Sequence, residues 1–163
     1  MSGPVRVAPV VSNTTPLITL AGISLLDLLQ ALYGEIWIPD EVFAEYQAGA
    51  ANPLYPPLDA RPWIVIHKTS INPLVPRALD AGEAAALSLA LTAQARLVLI
   101  DEHAGRAAAR RLGLSITGSL GVLIEAKQRQ LVPEIRPYLD QMVTQGRYIS
   151  PKVRQQALRL AGE

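Results

Sequence analysis

The stretch Arg96–Arg111, RLVLIDEHAGRAAARR, decides how the rest of the chain is read. Its apolar run stops abruptly at Asp101-Glu102 and a helical pattern begins, so it reads as a buried strand delivering a carboxylate to a strand-to-helix turn. In open α/β sheets ligands sit in the crevice beyond the carboxyl ends of the strands, and an acid at that point is placed for chemistry. The same layout recurs near the N-terminus, where VRVAPVV (5–11) runs into Ser12-Asn13 and Thr14-Thr15-Pro16 opens a helix. There an Asn stands where the matching acid is expected.

Working outward, residues 5–12 form an apolar run of the kind a central parallel strand shows, interrupted by Arg6 and Pro9, with Ala8–Ser12 its useful part. Further strands are expected at 35–39, 63–67, 97–100 and 114–116. Helices are expected from Pro16 to Gly22, capped by Thr14 or Thr15, and at 24–33. Another follows Asp40, and Asp80-Ala-Gly-Glu83 opens one through residue 93. Others run over 102–112, from Gly118 to about Gln130, and over 133–144 and 151–161. The passage 49–62, with Pro53, Pro56, Pro57 and Pro62, reads as a loop and not as an interdomain linker. Strands alternating with helices imply crossovers and a mainly parallel sheet. The expected fold is a three-layer α/β/α domain with C-terminal helices, spanning 1–163 as one unit.

At 163 residues, 50% hydrophobic and 18% charged, the chain is long and apolar enough for a real core. No segment approaches the roughly 20 apolar residues of a membrane span, and MSGPVRVAPVV lacks the basic start and long apolar core of a secretory signal. A soluble, cytoplasmic protein is expected. Absence of cysteine excludes disulfides and thiolate metal sites. A net charge of +1 gives no global pull on nucleic acid, so such binding needs a local patch. Arg106, Arg110 and Arg111 form one cluster, and Lys127, Arg129, Arg136, Arg147, Lys152, Arg154 and Arg159 weight the last third toward positive; ordinary solvated faces account for both.

Each acid has an ordinary role taken singly. Asp101 can cap the helix that follows it, Asp80 and Glu83 have the spacing of a capping box, and Glu45 fits a solvated helix face. In a parallel sheet, however, the turn after the first strand, the helix start at Glu83 and the turn after Asp101 can converge on one crevice. Clustered carboxylates resist ionisation without a cation, and oxygen ligands favour Mg²⁺ or Mn²⁺ over zinc. Such ions suit phosphate substrates. His103 reads as a surface residue, His67 as a strand end, and Trp37 and Trp63 as core. Gly118-x-x-Gly121 is only faintly a phosphate loop, and no Walker lysine, G-x-S-x-G serine or cysteine is present.

Five strings in order, VVSNTTPLI (10–18), IPDEVFAE (38–45), LDAGEAAAL (79–87), LVLIDEHAGR (97–106) and LGLSITGSLGVL (112–123), resemble the DUF3368 branch of the PIN-domain ribonucleases. The resemblance implies a Mg²⁺- or Mn²⁺-dependent nuclease that cuts RNA phosphodiester bonds with activated water, commonly the toxin of a type II toxin–antitoxin pair. It places the four acidic positions on Asn13, Glu45, Glu83 (with Asp80 beside it) and Asp101, with Glu102 as an auxiliary ligand. Arg106 is expected to hold Glu102 or contact phosphate; Ser12 and Ser119 fall on substrate-contacting positions. PIN domains typically carry Asp where this chain has Asn13, which puts metal affinity and rate in question. The resemblance also implies a small antitoxin entering the acidic crevice and a homodimer. Against it stand a PIN-like module that binds RNA or protein without cutting, and a phosphoacceptor domain, disfavoured because no lysine follows near Ile116.

Overall fold

The computed structural model of the chain describes residues 7–49 and 55–163. The expected strand start at Val5 and Arg6, and the part of the proline-rich loop that includes Pro53, lie outside them. Among the described residues five parallel strands form the sheet: β1 (Val10–Ser12), β2 (Ile36–Pro39), β3 (Ile64–His67), β4 (Leu97–Leu99) and β5 (Ile116–Thr117), in the order β3-β2-β1-β4-β5. The central strands are those with unbroken apolar runs. Val10, Val11, Val98 and Leu99 are wholly buried, as strands covered on both faces require. The edges differ: β3 buries only Ile64 and turns Ile66 outward, and β5 is only two residues long, which leaves little unpaired backbone.

The helices are α1 (Thr14–Gly22), α2 (Leu28–Tyr33), α3 (Asp40–Gly49), α4 (Ala81–Ala93), α5 (His103–Arg111), α6 (Ser119–Gln128), α7 (Arg136–Thr144) and α8 (Pro151–Leu160), with a 3₁₀ turn at Leu58–Ala60. Together with the sheet they make the three-layer α/β/α arrangement. Helix α4 crosses β2, β1 and β4 and meets α3 and α5, whereas α2 and α8 gather on α6. Its small residues permit this close crossing, since Ala85, Ala86 and Ala90 are fully buried beside Leu87. No helix among the described residues is long and apolar enough to cross a membrane.

Several expected boundaries move. Helix α1 begins at Thr14, with Asn13 in the capping position, and neither Thr14 nor Thr15 caps it. The helix expected over 24–33 forms only from Leu28, because Ser24 takes a left-handed turn with φ 60°. Strand β5 sits later than expected because Val98 pairs with Ile116 and Leu99 with Thr117. Helix α7 starts at Arg136 instead of Pro133, where the Glu163 carboxylate accepts the Ile135 amide at 2.6 Å.

The order of the strands fixes where a ligand would sit. The chain works outward from β1 to β3, then returns to lay β4 on the other side of β1 and continues to β5. Connections therefore leave β1 and β4 in opposite directions, opening a crevice at their carboxyl ends. Ser12 pairs with Leu99, and the Asn13 amide donates to Leu99 O at 2.9 Å, so Asn13 and Asp101 emerge side by side at that point.

Candidate active site

Asn13 is 3% exposed, its Nδ2 donating to Glu102 Oε2 at 3.3 Å, while its Oδ1 is buried with no hydrogen-bond donor. The other Glu102 oxygen accepts the Thr15 hydroxyl. Thr14 Oγ1 donates to Glu45 Oε2 at 2.6 Å, tying α3 to the first turn of α1. The two threonines that resembled helix caps are thus spent on carboxylates across the crevice.

Glu45 reaches this point because α4 starts with a glycine. A Cβ at Gly82 would lie 2.6 Å from Glu45 Oε1, so the bare backbone there is what lets the carboxylate lie against the helix that bears Glu83. At Gly105 the tight contact is a different one: an added Cβ would come 2.5 Å from Ile100 Cδ1, just past the end of β4, and only into ordinary contact with Glu83. Asp80 caps α4 by accepting the Glu83 amide at 2.8 Å, the forward arm of the expected capping box. Glu83 as a residue is 5% exposed. Burial raises its pKa most, the charges of Asp80, Glu102 and Glu45 raise it further, and the Asp80 backbone amide partly opposes them.

Asp101 does not cap the helix that follows it; Glu102 occupies that position, without a side-chain cap bond. Its Oδ1 accepts the Ser119 amide at 2.7 Å and its Oδ2 the Ser119 hydroxyl at 2.6 Å, so it serves the N-terminus of α6 instead. Gly118 makes room, since a Cβ there would stand 2.5 Å from Asp101 Oδ1 and 3.0 Å from Arg106 Nη1. Burial pushes the Asp101 carboxyl up, Ser119 pulls it down by both bonds, Glu102 raises it and Arg147 lowers it.

Asn13, Glu45, Asp80, Glu83, Asp101 and Glu102 therefore form one connected group, linked pairwise by bonds or by mutual repulsion, with Asp101 and Glu102 at the open cleft. Among the described residues, no group of three or more acidic or histidine side chains is arranged to hold a metal ion. Hydroxyls hold the carboxylates apart in pairs: Thr14 with Glu45, Thr15 with Glu102, Ser119 with Asp101. The chemistry of the set nevertheless fits a hard divalent cation. Every donor is oxygen, the charges oppose one another, and Asn13 Oδ1 is a buried acceptor lacking the partner that such atoms almost always have.

Three expected contacts take another form. Ser12 is fully buried and its hydroxyl donates to Asn13 O at 2.8 Å. Arg106 makes no ion pair with Glu102 but donates to the Ile100 carbonyl at 3.0 Å. Ser119, 2% exposed, is spent on Asp101. His103 is exposed, while His67 stacks on Trp37 with ring centroids 4.1 Å apart.

A family model described as DUF3368, PIN domain, matches residues 9–163. The chain is a PIN domain of the DUF3368 family. PIN domains are generally nucleases, and the crevice of this one lies where the fold puts its ligands. No curated protein matches the chain, so the family assignment rests on that model and on the fold.

Beyond the acids, this PIN domain opens a cleft of about 380 Å³ onto Asp101 and Glu102, lined by Thr19 of α1, Leu120 of α6, Met142 of α7 and the residues from Gly146 to Ile149. Arg147 stands in its wall and acts on Asp101. Nothing local in the sequence distinguishes Arg147 from the other basic residues of the last third; only the packing brings it to the acids.

Proposed function

We propose that this PIN domain is a single-domain ribonuclease that requires Mg²⁺ or Mn²⁺ and hydrolyses RNA phosphodiester bonds. The observation that carries the reading is the acidic crevice at the switch point of the sheet, with Asn13 Oδ1 buried and unpartnered at its centre. Asn13, Glu45, Glu83 and Asp101 would hold the cation, with Asp80 and Glu102 adding to the negative field. When bound, the cation supplies charge against the scissile phosphate and makes a water acidic enough to attack near neutral pH. Ser119 orients Asp101 by two bonds, and Thr14 orients Glu45. Burial and the neighbouring carboxylates make Glu83 easier to protonate than an ordinary glutamate, so protons and the cation would compete for it.

The decisive experiment is RNA cleavage in Mn²⁺. Activity should vanish in EDTA and fall by about two orders of magnitude or more in Asp101→Asn. Cleavage that survives both would overturn the reading. In the cell, we propose the role of toxin in a type II toxin–antitoxin pair, cytoplasmic and homodimeric, restrained by a small antitoxin that enters the crevice. Co-purification of the chain with the product of an adjacent short reading frame is the check.

A second reading is favoured by one feature. Asn13 brings no charge where PIN domains usually place an acid, and the carboxylates are held apart in pairs. A PIN module that binds RNA or protein without cutting would show metal-independent binding and no product at high enzyme concentration.

A further inference from the structure

We propose that the cleft beside Asp101 is a nucleotide subsite that receives one unstacked base of single-stranded RNA next to the scissile phosphate; this rests on the ribonuclease reading. The cleft has the parts such a site needs. Met142, 4% exposed, and the partly buried Leu120 and Ile149 give apolar surface for a ring face. Among them Thr19 is 3% exposed, and its Oγ1 has no hydrogen-bond partner. A buried hydroxyl left in that state is costly unless a ligand answers it, and a hydroxyl can both donate to and accept from a base edge.

Tyr148 borders the cleft and is 88% exposed, so its ring face is open to a stacking partner. Aromatic rings on which bases stack are the common device of single-strand recognition, and stacking tolerates any sequence while a polar contact adds preference. Arg147 lines the same cleft, close enough to lower the Asp101 pKa yet in no ion pair with it. That leaves its guanidinium available to a phosphate. The wall is fixed in place: Gly146 turns with φ 91°, the Arg147 amide bonds Met142 O at 3.0 Å, and the Gln145 side chain donates to Gly22 O at the end of α1. A volume of about 380 Å³ falls in the lower part of the range for small-molecule sites, roughly 300–1,000 Å³.

The test is fluorescence polarisation of a fluorescein-labelled single-stranded RNA decamer with the full chain, in EDTA so that no hydrolysis competes. A duplex of the same sequence and the four nucleoside monophosphates serve as competitors. The single strand should bind more tightly than the duplex. Tyr148→Ala should weaken it by about 5- to 150-fold, the range for losing one base–aromatic stack. Arg147→Ala should flatten the salt dependence of binding. Thr19→Val should change the ranking of the four monophosphates while the melting temperature holds or rises, since it removes an unpartnered polar group. No preference for the single strand, or Tyr148→Ala and Thr19→Val both binding as wild type does, overturns the subsite. RNA bound with these dependences but never cut once Mn²⁺ is added keeps the subsite and overturns the ribonuclease reading. Cutting that is indifferent to both substitutions does the reverse.

Discussion

Asn13 and Glu83 are the two residues at which the balance of charge in the crevice is set. Asn13→Asp adds a carboxylate at a buried position whose only side-chain bond is to another carboxylate. Mn²⁺ binding should tighten on the order of tenfold, about 1.4 kcal/mol of added attraction, and the cation-free protein should melt at a lower temperature because repulsion has grown. A calorimetric titration that finds binding unchanged or weaker would remove Asn13 from the site. Glu83→Gln acts in the opposite sense: it removes a buried charge that Asp80, Glu102 and Glu45 oppose. The cation-free fold should gain on the order of 1 kcal/mol, about 2–4 °C in Tm for a domain of this size, while Mn²⁺ affinity drops. A variant that melts earlier than wild type at neutral pH would contradict the assigned repulsion.

At the scale of elements, the site depends on how closely α3 approaches α4, and Gly82 sets that approach. Gly82→Ala should leave the fold intact or slightly more stable, because Ala is the better helix former by up to about 1 kcal/mol. The group its Cβ meets is the end of a flexible side chain, so the Glu45 carboxylate is what moves. Loss of the Thr14–Glu45 bond should then weaken Mn²⁺ binding without lowering Tm, a separation that paired melting and titration curves would read directly. The crossing of α4 over the sheet behaves differently. Ala86 is fully buried, and Ala86→Leu should cost about 1–3 kcal/mol by overpacking, measured by denaturant unfolding.

For the whole molecule, the raised Glu83 and Asp101 carboxyls determine the pH dependence near the site. A pKa raised in the folded state gives stability that is fully present below the unfolded value and is lost as pH rises through the folded one. The cation-free protein should therefore lose this contribution above the usual carboxylate range, and a divalent cation, which binds the ionised forms, should restore it. Mn²⁺ should accordingly raise Tm more at about pH 8 than at about pH 5, by the linkage of proton release to metal binding. Equal shifts at the two pH values would mean that these carboxyls do not bind the ion. Glu163 works the other way. Burial opposes its ionisation, but the Ile135 and Arg136 amides and Lys127 outweigh it and lower its pKa, so its stability is lost as pH falls.

The local chemistry of the chain was enough for the alternation of strands and helices, the mainly parallel sheet and the placing of Asp101 at a strand end. These follow from unbroken apolar runs and from cap and turn residues that act over a few positions. It was enough also to bring Asn13, Glu83 and Asp101 forward, at turns that converge on one crevice, whereas Glu45 came forward only through the family resemblance. What it could not decide is which polar groups each of them meets. Thr14 and Thr15 have the local chemistry of helix caps, yet they bond to Glu45 and Glu102 because the sheet order lays β4 beside β1 and Gly82 lets α3 close on α4. Asp101 likewise serves α6 and not α5, and Arg147 reaches its field from the far end of the chain. Partners remote in sequence are chosen by packing, and that choice turns a strand-end acid into part of a shared crevice.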